Sequence, residues 1–217
     1  MTTSHRIGAA AGIVGPTIFV AISLIGGWLQ TGYSALSDTV SALSLGDHGW
    51  VQIASFLIVG ASLLLLAVTI ARDFTEREAP LGGPIVLGIV GIGYLFSGPF
   101  VMDPPGTPSG AFSWRGLAHG LLGAIVFTLM PVTCFIFLRQ FRRDPAWLCL
   151  WRPTLVFGCF VAIADIAFVV TIKTAAITHG ADLTAIATAD AGLLQRLVII
   201  PFMTWTALLG ARLLLEP

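Results

Sequence analysis

The stretch VQIASFLIVGASLLLLAVTIA, residues 51–71, runs for 21 positions without a charged residue. At 1.5 Å per residue a helix of that length covers about 30 Å, the thickness of a bilayer's hydrocarbon core. It predicts a transmembrane helix. Five further runs of the same character lie on either side, at residues 8–28, 82–101, 116–138, 153–172 and 193–214. They occupy most of the 217 residues and leave no room for a separate soluble domain.

The composition agrees. The chain is 56% hydrophobic and 10% charged, with a mean hydropathy of +0.93, where a soluble domain carries about 25% charged residues. Eleven Lys+Arg balance eleven Asp+Glu, and with no basic run this excludes a nucleic-acid binder held by phosphate contacts. So apolar a chain is not intrinsically disordered. The expected fold class is all-α: a single six-helix transmembrane domain over residues 1–217.

Cytoplasmic loops accumulate Arg and Lys. With the N-terminus inside, the inner ends hold Arg6, Arg72, Arg77, Arg139, Arg142, Arg143, Arg152 and Arg212, and the outer ends only Arg115, Lys173 and Arg196. Both termini are therefore expected in the cytoplasm, in a multi-pass protein of the cell membrane. The first segment reads as a permanent anchor, because its apolar run is too long for a signal peptide and no clean cleavage site follows it. Trp28, Trp50 and Trp114 at outer ends, and Trp147 and Trp151 at inner ends, suit interfacial anchoring, whereas Trp205 falls inside the last span. Three cysteines, Cys134, Cys149 and Cys159, make a disulfide framework improbable. The sequence contains no Asn, hence no glycosylation sequon.

Many of the 24 glycines lie inside spans, including Gly8, Gly12, Gly15, Gly91, Gly93, Gly116, Gly120 and Gly123. Small residues let helices approach closely in lipid, so these read as packing. Pro16, Pro99, Pro131 and Pro201 each remove a backbone donor and are candidate kinks. In the first outer loop, Leu36, Val40 and Leu43 share a helical face opposite Ser34, Ser37, Asp38, Ser41 and Ser44. That pattern predicts a short amphipathic helix over residues 34–45, lying on the membrane or folded over the bundle mouth.

Charge inside hydrocarbon costs a few kcal/mol per group, which makes each intramembrane ionisable residue a candidate site. Asp165 is the deepest, about 12 Å below the outer end of its helix, on a face shared with Gly158, Ala162 and Val169. Asp103, His119, Gln195 and Arg196 gather at the outer ends of other spans, level with Asp38 and Ser41 of the loop. The inner half offers no comparable set. A carboxylate orienting His119 through one ring nitrogen would leave the other to move a proton or activate water or Ser41. A metal held by His119, Asp103 and Asp38 or His179 lacks closely spaced histidines. In a purely structural reading, Asp165 or Asp103 pairs with Arg196 and His119 bonds a carbonyl, fixing helix register. His5, His48 and His179, terminal or loop residues, read as solvated. Haem is disfavoured for want of histidines at matched depth, and transport for want of an internal repeat.

Taken in order, Gly12 to Pro16 (Gly-x-x-Gly-Pro), Gly32-Tyr33-Ser34 with Asp38 and Ser41, Trp50, Asp103-Pro104, His119, and Gly192-Leu-Leu-Gln195-Arg196 with Trp205 resemble the domain-of-unknown-function 998 family. The resemblance covers nearly the whole chain and implies a six-span prokaryotic membrane protein, without an activity to carry over. Asp165 lies outside its motifs.

The expected function is binding of a membrane lipid or other amphiphilic small molecule in a polar pocket of the outer half, with acid–base or hydrolytic chemistry there. His119, Asp103, Asp38 and Asp165 are the candidate catalytic groups; Arg196, Ser41, Gln195 and Tyr33 are the candidate substrate-binding groups, Arg196 for an anionic head group. No metal or cofactor is expected. The alternatives are a structural or partner-binding membrane protein and, third, a small transporter.

Overall fold

Six α-helices follow one another along the described residues: α1 Thr3–Leu29, α2 Gly49–Glu76, α3 Gly82–Ser97, α4 Trp114–Phe141, α5 Trp151–His179 and α6 Ala191–Leu214. The structure, a computed structural model, describes residues 2–179 and 190–215, the side chains of Ser109 and residues 175–179 excepted. Five of the helices are long and apolar enough to cross a membrane, and α3 is a shorter apolar helix. Its 16 residues reach about 24 Å. The apolar run continues to Val101, but Pro99 has no N–H to extend the ladder, and the chain turns there after a last bond from Phe100 N to Phe96 O. Pro16, Pro131 and Pro201, by contrast, sit within continuous helices.

Each helix packs on its neighbours in sequence, and α6 closes against α1, forming an antiparallel ring. One end carries the start of α1 and the ends of α2, α4 and α6, with most of the arginines. The other, the loop end, carries residues 30–48 and 98–113. Glycines supply several seams, as their placement within spans predicts. Gly8, Gly12 and Gly15 of α1 meet Thr69, Leu66 and Ser62 of α2, and Gly60 meets the α3 backbone at Gly91 and Leu95. Gly120 and Gly123 depart from that expectation. Among the described residues nothing lies within 4 Å of where a side chain would begin at either, because α4 buries no residue before Val126.

Inside the ring, Phe19, Phe56 and Tyr94 form one aromatic group and Phe137, Phe141, Phe202, Trp147 and Trp205 another. Trp28, Trp50 and Trp114 are exposed at the loop end, where interfacial anchors are expected. Trp147 is not an anchor. It is fully buried, stacked on Phe141 at 5.0 Å, and its indole N–H donates to Asp73 Oδ2 at 3.0 Å. Trp205 is likewise buried, donating to Thr154 Oγ1 at 3.0 Å.

The first loop is less regular than its pattern suggests. Only Val40–Leu45 is helical, as a 3-10 helix burying Val40, Ala42 and Leu43, while Leu36 stays exposed. The cause is local: the Asp38 carboxylate accepts from Ser34 N at 2.7 Å, a side-chain turn that competes with helix formation.

Candidate functional site

The first loop is strapped to the start of α6. Gly192 makes this possible, since a Cβ there would collide with the carbonyls of Ala35 and Asp38. Leu193 N donates to Leu36 O at 2.8 Å, so the loop satisfies one of the donors that a helix start leaves open. One turn further, Arg196 Nη1 donates at 2.9 Å each to the carbonyls of Ala35, Asp38 and Gly192, and Nη2 donates to the Tyr33 hydroxyl. The Tyr33 hydroxyl points in turn to the carbonyls of Asp38 and Thr39, at 3.1 and 2.9 Å. Burial raises the Tyr33 phenol above its ordinary pKa of 10.0, against the lowering pull of Arg196. It stays neutral and remains a donor. Gln195 Oε1 accepts from Val40 N at 2.7 Å and sets the start of the 3-10 helix.

That strap delivers Ser41 to His119. Ser41 Oγ lies 3.0 Å from Nε2 and Phe100 O lies 2.7 Å from Nδ1. A carbonyl can only accept, so Nδ1 carries the ring proton and Nε2 is the lone pair that receives the Ser41 hydroxyl. The orienting group is therefore a backbone carbonyl, where the sequence led to a carboxylate. It is available because α3 has ended and because the residue that would bond it in a continued helix, Pro104, has no N–H.

Beside the pair lies a small cavity of about 30 Å³, with Ser41, Tyr94, Ser97, His119 and Gln195 as its polar lining and Phe56 and Phe127 among its apolar walls. It has room for about one or two water molecules. The Tyr94 hydroxyl is buried without a hydrogen-bond partner among the described residues. Gly123 lines the cavity on its α4 side.

Asp103 acts at the start of α4. Its Oδ2 accepts from Ser113 N at 3.0 Å and presses on Gly116, while the Ser113 hydroxyl caps the helix by accepting from Gly116 N at 3.0 Å. A carboxylate suits that positive helix end, and it fixes the height at which His119 emerges. Asp38 stays within its own turn. Asp165 is buried, with Oδ1 unpartnered among the described residues, but it does not line the cavity. The structure thus joins Ser41, His119 and Gln195 at one cavity, with Tyr33, Asp38 and Arg196 in the adjoining strap, and leaves Asp103 and Asp165 apart from it. Among the described residues no three of His, Cys, Asp or Glu come together as a metal site; the side chain of His179 lies outside them.

Tyr94 and Ser97 carry no charge and lie within the apolar run of residues 82–101, away from the span ends and the loop where the sequence gathers its candidate groups. Their polar tips in a Gly-rich apolar run were the available signal. The arginine end, expected to hold no set comparable to that of the outer half, does bury polar groups. Asp73 is buried, takes Arg77 Nε on both oxygens at 3.1 Å, and accepts the Trp147 indole. Nearby, Gln140 Nε2 donates to Pro80 O, and Arg212 donates to Ala146 O. The spacing of Asp73 and Arg77 at i and i+4 was the signal there.

No curated protein and no solved structure matches the chain. The loop strap, the Ser41–His119 pair and the start of α6 are built from the same positions that carry the family resemblance. The family described as Protein of unknown function (DUF998) matches residues 13–212, and the chain belongs to it.

Proposed function

We propose that this chain is a six-span protein of the cell membrane, with both termini in the cytoplasm, that binds an amphiphilic ester at its outer, loop end and cleaves the acyl bond with Ser41 and His119. The observation that carries this reading is the relay from Ser41 Oγ through His119 to Phe100 O, at 3.0 and 2.7 Å, beside a polar cavity. Nucleophile, base and orienting group stand in the order that acyl transfer requires.

Ser41 Oγ bonds to the acyl carbon while its proton passes to His119 Nε2. The carbonyl oxygen takes the negative charge, which the unpartnered Tyr94 hydroxyl is available to stabilise. The ester C–O bond then breaks and the proton on Nε2 goes to the leaving alkoxide. Water then attacks the acyl carbon as its proton passes to the same nitrogen, the acyl–Oγ bond breaks to release the acid, and Nε2 returns the proton to Ser41 Oγ. A carbonyl holds the tautomer without supplying the charge of a carboxylate to the imidazolium, so turnover is expected to be slow. The cavity of about 30 Å³ holds no more than the ester group itself, so in this reading the apolar chain lies along the open α4 face at Gly120 and Gly123. Arg196 spends its Nη donors on the strap, so the ligand's polar group meets Ser41, Gln195 and Tyr94 instead.

A fluorophosphonate probe tests this on the full chain in lipid nanodiscs. Ser41 is expected to be labelled, with labelling lost in Ser41→Ala and reduced at least about a hundredfold in His119→Gln, while Ser44→Ala is labelled normally. No label on Ser41 in the wild type overturns the catalytic reading. A second reading, in which the cluster only pins the loop, is favoured by the internal bonding of Arg196 and Tyr33; it predicts that Ser41→Ala and His119→Gln melt well below the wild type.

A further inference from the structure

We propose that the arginine end holds a second site, separate from the first, that takes an anionic phospholipid. An open groove of about 960 Å³ lies between the ends of α2 and α4 and the start of α3. On its α4 wall, Val132, Phe135, Ile136, Arg139 and Arg143 follow at helical spacing along one face. The wall is thus apolar for about 10 Å and then cationic. Phe74, Ala79, Pro80 and Arg77 line the groove as well. This order matches a phospholipid lying along the helix, with acyl chain on the apolar part and phosphate at the guanidinium groups.

Charge separates this groove from a generic greasy surface. Arg139 and Arg143 are exposed, and among the described residues neither side chain has a hydrogen bond, ion pair or ring partner. The arginines around them are engaged: Arg77 pairs with Asp73, Arg142 lies over Trp151 and Arg212 donates to Ala146 O. Two cations at i and i+4 repel one another, and a shared phosphate converts that repulsion into paired charge-assisted bonds. The one carboxylate lining the groove, Asp144, accepts from Ala146 N at 2.9 Å. The rim keeps a positive surplus. The adjoining apolar floor selects a lipid over a soluble phosphate, as in basic pockets between membrane helices.

Native mass spectrometry and thermal melting of the full chain, with phosphatidylglycerol, phosphatidylcholine or inorganic phosphate as probe, decide the matter. Phosphatidylglycerol is expected to bind more tightly than phosphatidylcholine and to raise Tm, with inorganic phosphate doing neither. The double variant Arg139→Gln/Arg143→Gln is expected to lose about thirtyfold in phosphatidylglycerol affinity, at about fivefold per basic residue near a lipid surface, and Arg142→Gln none. Val132→Trp, which fills the floor and keeps both arginines, is expected to weaken phosphatidylglycerol as well. Equal binding of the two lipids, full retention in the double variant, or equal protection by inorganic phosphate would each overturn the proposal. Ser41 labelling in the double variant is expected at the wild-type level, so this site and the loop-end reading fail independently.

Discussion

The proton on His119 is placed by a backbone atom, and two prolines explain why. Pro99 stops α3, and Pro104 cannot donate to the carbonyl left behind at Phe100, which turns to the imidazole instead. Asp165 shows the opposite case, a buried carboxylate whose Oδ1 has no partner among the described residues. A buried polar group without a bond costs stability. Asp165→Asn is therefore expected to leave Tm in detergent unchanged or raised and Ser41 labelling intact; loss of labelling would bring Asp165 into the site. Trp147 makes a third case. Trp147→Phe keeps the stack on Phe141 and removes the donor to Asp73 Oδ2. Destabilisation of about 1–3 kcal/mol is expected, read from thermal or denaturant unfolding.

Among elements, the strap between the first loop and α6 is the decisive one. It rests on backbone carbonyls approaching Gly192 closely, so Gly192→Ala should force the loop away from α6. Expected results are helical content near the wild type, a cost of about 1–3 kcal/mol, and loss of Ser41 labelling because Ser41 no longer reaches Nε2. The face of α4 behaves differently. Gly123 borders the cavity and has open space around it. Gly123→Leu is accordingly expected to fold with a near-normal Tm while reducing access to Ser41, measured as a slower labelling rate.

At the scale of the whole molecule, the six helices form a sequential antiparallel ring, and the proposed orientation, which rests on the uneven arginine distribution, puts the arginine end in the cytoplasm. The native thiols test that orientation. Cys149 is exposed in the connection between α4 and α5 at the arginine end, and Cys134 is buried. A membrane-impermeant maleimide is expected to label Cys149 in inside-out vesicles and not in intact cells, with Cys149→Ser as the control. Labelling in intact cells would reverse the topology.

The helical class, the positions of the long spans and the bias of basic residues were readable from residues 1–217 alone, because hydrocarbon thickness and the cost of burying charge act on composition and local spacing. So was the gathering of Ser41, His119, Gln195 and Arg196 near one end, since alternating helices return to the same depth. Their pairing was not readable. Whether Arg196 faced a ligand or three carbonyls, whether His119 met an aspartate or Phe100 O, and whether Trp147 anchored at a surface or capped Asp73 all depended on contacts between residues far apart in the chain. Those contacts follow from the rotation of each helix about its axis and from where backbone groups run out of partners. A sequence pattern records the first only as an apolar stripe and the second not at all.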